Sequence, residues 1–289
     1  MSDTATGAVS ETALAHPGST RGGRWGARSV VALATLFALF LGLPVLAIIT
    51  RAILGGLLPA VAGSSVVLPA LVLSLATTAV SLVITVVFGL PLAVVLARRR
   101  FRGKWLVETL VDLPIVLPPS VAGLALLLVF GRRGWLGGTL DVAGLDIAFT
   151  TLAVILAQVF VSAPFFVRSA RAGIAGVDHD LEDAARVDGA SEPQLFRRVT
   201  VPLAGGALAA GLVMSWARAM GEFGATILFA GNVAGRTQTL PLVVYSEFEG
   251  GNLETSIAAA AILVLAALGV LVAVRLLHWG RVLDTRATA

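Results

Sequence analysis

The chain has 289 residues and a formal net charge of +4, and 57% of its residues are apolar while only 13% are charged. With a mean hydropathy of +0.93, this composition cannot be arranged around one soluble core, so it excludes an ordinary soluble globular domain. The sequence predicts an all-α membrane protein.

Six uncharged runs are each long enough to cross a bilayer as a helix. About 20 residues, at about 1.5 Å of rise per residue, span a hydrocarbon core of roughly 30 Å. Helices satisfy their backbone polar groups internally, and the alternating pattern of barrel strands is missing from these runs. In chain order, the six predicted transmembrane helices are residues 30–50, 66–97, 113–131, 147–167, 199–217 and 255–274.

The segments around the spans complete the predicted organisation. Residues 1–29 are rich in serine, threonine, alanine and glycine and are predicted to be a disordered cytosolic tail. The first apolar run is longer than the core of a usual signal peptide, so we expect it to be retained. Residues 30–279 then form a six-helix transmembrane domain that includes a charged segment at 178–202, and residues 280–289 form a second cytosolic tail.

The placement of arginine and lysine predicts the orientation. With both termini in the cytoplasm, 16 of the 21 basic residues lie on cytoplasmic segments and four lie outside, at Arg51, Arg132, Arg133 and Arg236. The adjacent pair Arg132 and Arg133 is a local exception to this rule. We therefore expect a multi-pass protein of the cytoplasmic (inner) membrane, with anionic membrane lipid as a partner. The basic residues are dispersed and no binding motif accompanies them, which argues against nucleic acid as a partner.

Local helix signals divide the charged segment into two short helices. Asp178 or Asp180 can cap the first helix, and Gly189 ends it. Ser191 and Gln194 form a capping-box pattern that starts the second helix. A small apolar patch faces outward among the charges of the first helix. By these signals alone, the segment is either a docking surface or a solvated connection between two spans.

The spacing of residues within the charged segment favours docking. Asp183-Ala184-Ala185 is followed after three residues by Gly189, and after nine more by Val199-Thr200-Val201-Pro202. This pattern is similar to the EAA motif of ABC importer permeases, EAA-x3-G-x9-I-x-LP, with Asp in place of Glu and Val in place of Ile and Leu. The resemblance implies that the segment docks on a cytoplasmic ATPase, through Glu182, Asp183, Ala184, Ala185, Gly189, Ala190, Val199 and Pro202.

The same resemblance implies the fold, the partners and the source of energy. A type I ABC importer permease has the MetI-like fold, with a second permease copy beside it. A homodimer is the default expectation, although heterodimeric pairs exist in related importers. No G-x4-GK[ST] phosphate loop occurs in the chain, so ATP and Mg are expected on a separate ABC ATPase subunit. The chain itself is then not an enzyme and binds no cofactor.

Two further segments resemble the molybdate branch of these permeases, namely Asp112–Gly137 and Arg218–Tyr245. The run GRTQTLP at Gly235–Pro241 favours molybdate over the sulfate/thiosulfate permeases, which share the sequence GEFG. The resemblance implies an importer in which an extracytoplasmic molybdate-binding protein delivers the oxyanion and ATP drives alternating access. Tungstate and sulfate remain alternative substrates.

A polar stripe in the fifth span is the candidate translocation pathway. Gly211, Ser215, Arg218, Glu222 and Thr226 recur at steps of three or four residues, and ionisable groups inside a span usually face the bundle interior or a water-filled cavity. Arg218 can attract an oxyanion, and Glu222 can pair with it. The alternative is a structural ion pair, with Gly211 and Ser215 serving helix packing.

Two other features concern the same pathway. The outer loop carries Arg236, Thr237, Gln238 and Thr239, whose donors can meet an oxyanion or a docked binding protein, or can simply be solvated. In the third span, Pro114, Pro118 and Pro119 predict either a kink that acts as a gate hinge or a plain re-entry turn.

Functions of other classes have less support. A secondary transporter or a channel also presents six spans, but neither needs a docking helix for an ATPase. His16, His179 and His278 are scattered along the chain, no two at the spacing of metal ligands, so the sequence predicts neither a metal site nor acid–base catalysis.

Overall fold

A computed structural model describes residues 22–57, 61 and 64–287 of the chain, and for residues 22–28, 273–275 and 277–287 it describes the backbone alone. Every regular element within these ranges is helical, which confirms the all-α class. The helices are α1 (Gly22–Leu54), α2 (Val67–Arg98), α3 (Lys104–Val116), α4 (Pro119–Phe130), α5 (Gly137–Val142), α6 (Thr151–Ala175), α7 (His179–Val187), α8 (Glu192–Leu203), α9 (Gly205–Met220), α10 (Gly224–Phe229), α11 (Leu240–Glu249) and α12 (Leu253–Ala287).

Four helices are each long and apolar enough to cross a membrane, namely α1, α2, α6 and the Leu253–Val272 part of α12. They correspond to the predicted spans 30–50, 66–97, 147–167 and 255–274. Each of the other two predicted spans is a pair of helices with a sharp bend between them, 119° between α3 and α4 and 72° between α8 and α9. Counting each bent pair as one span gives the predicted six.

Prolines cause the bend between α3 and α4. A residue that precedes proline is driven out of helical geometry, and here this applies to two residues in succession. Leu117, before Pro118, has ψ 132°, and Pro118, before Pro119, has ψ 135°. Pro119 then occupies the first position of α4, where a missing N–H does no harm. At about 18 Å, α4 alone is too short to cross the bilayer.

The two predicted tails overlap helices. Residues 1–21 lie outside the described residues, but residues 22–29, which were also expected to be disordered, are the first turns of α1. Residues 280–287 likewise continue α12, and residues 288 and 289 lie outside the described residues. Extending an existing helix by one residue costs far less than starting one, so a helix formed by an apolar run continues into neighbouring residues that contain no proline.

The chain divides into two compact units, with the boundary between Ala47 and Ile48. In the first unit, the described part is helical, and its large apolar side chains, such as Leu33 and Phe40, are exposed, as lipid requires. The second unit has α6 at its centre, packed against α2 and α9. Small residues such as Ala157 and Ala170, both fully buried, let the backbones approach closely.

Glycine is required where α4 meets α10. A Cβ added to Gly123 of α4 would lie 2.6 Å from the carbonyl oxygen of Ala225 and 2.8 Å from its Cα. On the other helix, a Cβ added to Gly224 would lie 2.5 Å from the Cβ of Pro119. Since backbone atoms cannot move aside as a flexible side chain can, these glycines allow the two short helices to approach each other this closely.

We expect Gly123→Ala to lower thermal stability, because the new methyl group forces α4 away from α10. Overpacking typically costs about 1–3 kcal/mol, which exceeds the gain of about 1 kcal/mol that alanine brings to a helix interior. The measurement is the unfolding midpoint of the purified protein in detergent. Gly269→Ala in α12 is the matched control, because a Cβ there meets no atom within 4 Å and only the helix-propensity gain remains. An equal loss of stability in both variants would contradict the steric explanation.

Candidate functional site

The charged segment, residues 178–202, is the candidate site with the best-defined local structure. The side chain of Asp178 accepts a hydrogen bond from the amide of Asp180 at 3.0 Å, so Asp178 rather than Asp180 caps α7. Gly189 ends this helix with φ +86°, in the left-handed region that glycine tolerates. The amide of Gly189 donates to the carbonyl of Arg186, and that of Ala190 donates to the carbonyl of Ala185, each at 3.0 Å. These two bonds are the Schellman motif of a helix end.

The second helix of the segment starts as the sequence predicts. The amide of Ser191 donates to Oε1 of Gln194 at 2.9 Å, within the capping box. Helix α8 is not uniform, because its middle turn, Phe196–Thr200, is a π-helix. It continues through Pro202 to Leu203, so the charged segment leads directly into the bend before α9.

A buried carboxylate fixes the charged segment to the rest of the protein. Glu182 is only 3% exposed, although it lies on a helix whose other charged residues face outward. Its Oε1 accepts from Nη2 of Arg98 at 2.6 Å and from Oγ1 of Thr200 at 2.8 Å. His179 Nδ1 lies 3.7 Å from Oε2. Glu182 therefore joins α7 both to the end of α2 and to α8, and we call these three side chains, Glu182, Arg98 and Thr200, the Glu182 anchor.

The other side of α7 is exposed. Leu181 is 50% exposed and Val187 is 88% exposed, and Asp183 and Ala184 lie on the same open side. Between α7 and α8, a shallow groove of about 320 Å³ is lined by residues that include Ala185, Gly189, Ala190 and Val199. Most residues of the EAA-like pattern are thus exposed or line this groove. Glu182 is instead buried, and Pro202 is exposed near the end of α8.

A surface ion-pair network spans the break between the two helices. Nη1 of Arg186 lies 2.7 Å from Oδ1 of Asp183, and its Nε lies 2.9 Å from Oε1 of Glu192. The hydrogen bond from Arg186 lowers the pKa of Glu192, so this carboxylate stays charged at neutral pH and the link weakens only as the pH falls below the usual carboxylate range. Exposed pairs add little stability. Their effect here is to restrict the angle between α7 and α8.

The predicted pathway residues do not share one helix. Helix α9 ends at Met220, so Glu222 lies in the connection after it and Thr226 lies on α10. Oε1 of Glu222 accepts from the amide of Ala225 at 2.6 Å and so satisfies one of the free backbone donors in the first turn of α10. The continuous stripe expected along one fifth span is therefore wrong beyond Met220.

Two of the pathway residues serve helix packing. A Cβ on Gly211 would lie 2.8 Å from the Cβ of Ser169, so α9 and α6 touch there. Oγ of Ser215 donates to the carbonyl of Ser162 at 3.0 Å, which joins the same two helices. Both residues are buried between α9 and α6, as the packing alternative predicts.

Two other pathway residues, Arg218 and Glu222, form a charged pair that we call the charged centre. Nη1 of Arg218 lies 2.5 Å from Oε2 of Glu222, which is the predicted pairing. The Glu222 side chain is 1% exposed, whereas that of Arg218 is 29% exposed, so the arginine reaches the open side of the pair. Thr226 is fully buried, and its Oγ1 has no hydrogen-bond partner among the described residues.

The outer-loop residues are less accessible than predicted. Arg236 is exposed and Gln238 is partly exposed. Thr237 and Thr239 are buried, which corrects the expectation that both offer donors to solvent. Oγ1 of Thr237 accepts from the amide of Val233 at 2.9 Å and so closes the turn before α11. Burial follows because the loop leads into Leu240, which is fully buried.

Arg132, one of the two arginines that depart from the predicted placement of basic residues, has an acidic partner. Arg132 pairs with Asp146 across the connection that contains α5. This contact raises the pKa of Arg132 and lowers that of Asp146, chiefly through the hydrogen bond between them. The positive charge of Arg132 is thereby offset within this connection.

A polar face on α2 was missed by the sequence analysis. Its side chains are all buried against α6, α9 and α11, and Nε2 of Gln158 on α6 donates to one of them, Oγ1 of Thr78, at 3.3 Å. Oε1 of Gln158 has no partner among the described residues and can still bind water. The signal was present in the sequence, because Ser74, Thr78, Ser81 and Thr85 recur at steps of four, three and four residues, with Thr77 beside Thr78.

The described residues contain no group of three histidine, cysteine or acidic side chains that could hold a metal ion. His179 lies beside Glu182, whereas His16 and the side chain of His278 lie outside the described part of the chain.

The chain is similar to known transport permeases. The sequence model of the family described as "Binding-protein-dependent transport system inner membrane component" matches residues 86–279. The molybdenum transport system permease protein ModB of Mycobacterium tuberculosis (strain ATCC 25618 / H37Rv) is 47% identical over 176 residues, covering 61% of this chain and 67% of that one. Sulfate permease 2, chloroplastic, of Chlamydomonas reinhardtii is 41% identical over 204 residues, covering 71% of this chain and 55% of that one.

A solved structure supports the fold. A bacterial alginate ABC transporter, crystallised with an alginate pentasaccharide-bound periplasmic protein, contains a chain that matches with a TM-score of 0.67. The match covers 86% of this chain and 92% of that one, at 19% sequence identity. At this identity, the likeness concerns the path of the backbone alone.

Proposed function

Because the chain belongs to the family of binding-protein-dependent transport system inner membrane components, we propose that it is the permease subunit of an ABC importer that moves molybdate across the cytoplasmic membrane. The observation that carries this proposal is the charged segment, whose exposed surface bears the EAA-like spacing while Glu182 fixes it from behind. Molybdate is proposed as the substrate because the chain is similar to molybdenum permeases.

The partners follow from the same proposal. A separate ABC ATPase binds ATP and Mg and docks on the groove between α7 and α8, where small side chains at Ala185 and Gly189 permit a close approach. An extracytoplasmic binding protein delivers the oxyanion on the opposite side, as the periplasmic protein of the alginate transporter suggests by analogy. A second copy of the chain completes the pathway, and both termini lie in the cytoplasm.

The Glu182 anchor gives the proposed route by which force is transmitted. Movement of the ATPase displaces α7, and Glu182 passes this displacement to α2 through Arg98 and to α8 through Thr200. Helix α8 leads into α9, which ends two residues before Glu222 and its partner Arg218. Closure of the ATPase subunits is thus connected to Arg218 and Glu222 through α7, α8, the bend at Ala204 and α9.

Arg218 is the proposed attraction point for the oxyanion. Its guanidinium lies on the open side of a pair whose carboxylate is buried, so an entering anion meets the positive group first. Arg236, exposed in the outer loop, adds positive charge near the entrance. Glu222 limits the affinity, because an anion that enters must share Arg218 with it.

The decisive test is uptake in proteoliposomes that contain this chain, its ATPase and its binding protein. We expect radiolabelled molybdate to accumulate only when ATP is hydrolysed, and tungstate to compete better than sulfate. Uptake that persists with a hydrolysis-deficient ATPase indicates a secondary transporter or channel and overturns the proposal. Sulfate competition as strong as that of molybdate assigns the chain instead to the sulfate permeases, to which it is 41% identical.

A further inference from the structure

The turn between α2 and α3 carries a concentration of positive charge that carboxylates offset only in part, since Arg99 contributes to the lowered pKa of Glu192. Arg99, Arg100 and Arg102 are exposed, and none of them forms an ion pair with a described residue. The two basic residues at the ends of this turn are engaged, Arg98 with Glu182 and Lys104 with Glu108. The three arginines between them therefore present three unpaired guanidinium groups within four positions of the chain.

Other exposed arginines on the same side are paired. Arg168 lies 3.5 Å from Asp112, and Arg171 lies 3.0 Å from Glu108. Arg197 and Arg198 also lack an ion pair among the described residues, but they belong to the charged segment proposed to face the ATPase. Among the described residues of this side, the exposed arginines without an ion pair thus lie in the charged segment and in the turn after α2. Within the turn, Arg99 lines a cavity together with Arg186 and Glu192 of the charged segment.

The position of the turn identifies its partner. Helix α2 has 32 residues and is uncharged up to Ala97, so the arginines begin where its apolar surface ends. A helix of this length measures about 48 Å, which exceeds the hydrocarbon core and brings its end to the headgroup level. At this level, the phosphates of anionic lipids are the most concentrated negative groups.

Two aromatic side chains beside the arginines fit the same partner. Trp105 is 70% exposed and Phe101 is 41% exposed, although both are large and apolar. Tryptophan is enriched at the membrane–water interface, where an apolar ring and a polar N–H both find suitable surroundings. A turn that faced only water would gain nothing from exposing these rings.

We propose that the turn at residues 99–102, flanked by Trp105, binds the headgroup phosphates of anionic phospholipids. The guanidinium groups donate paired hydrogen bonds to phosphate oxygens, and the two aromatic rings lie among the upper acyl carbons. Gly103, with φ +85°, turns the chain so that the arginines and Trp105 are held within one short connection. Bound phosphate also reduces the repulsion among these cations next to Arg98 of the Glu182 anchor.

The test measures lipid binding to the purified full chain by native mass spectrometry, with phosphatidylglycerol and phosphatidylcholine as probes. For the triple variant R99Q/R100Q/R102Q we expect phosphatidylglycerol affinity to fall about a hundredfold, since each arginine near an anionic surface contributes about 1 kcal/mol and 1.4 kcal/mol is tenfold. Phosphatidylcholine binding should not change. The charge-preserving variant R99K/R100K/R102K should keep most of the affinity.

The matched control is R51Q/R132Q/R133Q, which removes the same number of charges from the predicted outer side. We expect it to change phosphatidylglycerol affinity by less than about threefold, because Arg132 is already paired with Asp146. An equal loss in both triple variants, or no loss in the first, overturns the proposal. Glycerol 3-phosphate that binds as tightly as the lipid also overturns it, because the site then takes a soluble anion. The unfolding midpoint in lipid-free detergent, expected to be the same in all variants, shows that each protein is folded.

Discussion

Replacing Gly189 with proline is expected to abolish ATP-driven uptake while the chain still inserts into the membrane. Gly189 has φ +86°, whereas the proline ring requires about −65°, and its amide donates a hydrogen bond that proline lacks. The Schellman turn cannot form, so α7 and α8 lose their fixed angle. Because the ATPase is proposed to dock in the groove between these two helices, the docking surface is lost with the turn.

Gly189→Asn is the matched control for this prediction. Asparagine tolerates the left-handed region better than other side chains, and a Cβ at position 189 meets no atom within 4 Å. We expect this variant to retain most of the uptake, measured in proteoliposomes beside the amount of protein in the membrane fraction. Normal transport by Gly189→Pro would show that the shape of this segment is irrelevant to coupling.

Replacing Glu182 with alanine is expected to reduce uptake more than tenfold. The change leaves Arg98 without its partner at a site where the two side chains are only 18% and 4% exposed. Removing one partner of a buried pair typically costs about 3–5 kcal/mol, and the slight exposure of Arg98 places the cost near the lower end. The loss falls on the contacts that hold α7, so the charged segment should detach from α2 while the transmembrane helices stay folded.

Two measurements distinguish this local effect from general unfolding. Limited proteolysis should cut Glu182→Ala within residues 178–202 faster than the unaltered protein, and the unfolding midpoint of the whole chain should change little. Asp180→Asn is the matched control, because it neutralises an exposed carboxylate on the same helix. If both variants transport equally well, the Glu182 anchor does not transmit force.

The sequence predicts the features that depend on near neighbours. Proline positions located the break between α3 and α4. Gly189 located the end of α7, and Ser191 located the start of α8. Each of these rests on interactions within a few residues, for which the chemistry of single side chains is decisive. Apolar run length was similarly sufficient for the long helices.

Contacts between distant parts of the chain were not predictable. The local pattern of α7 could not show that Glu182 is buried, because its partner Arg98 is 84 positions away. The end of α9 at Met220 was missed for a related reason. A stripe of residues at helical spacing continues past it, and only the folded contact of Glu222 with the amide of Ala225 shows that a second helix begins.

The glycine contact between α4 and α10 affects how the protein is made. Neither helix is long enough to cross the bilayer by itself, and Gly123 is separated from Ala225, the residue it touches, by about 100 residues of chain. During synthesis, α4 leaves the ribosome well before its packing partner exists. Until α10 emerges, α4 lacks this partner, so we expect the packing of the third span to be completed only after the chain beyond α9 has been translated.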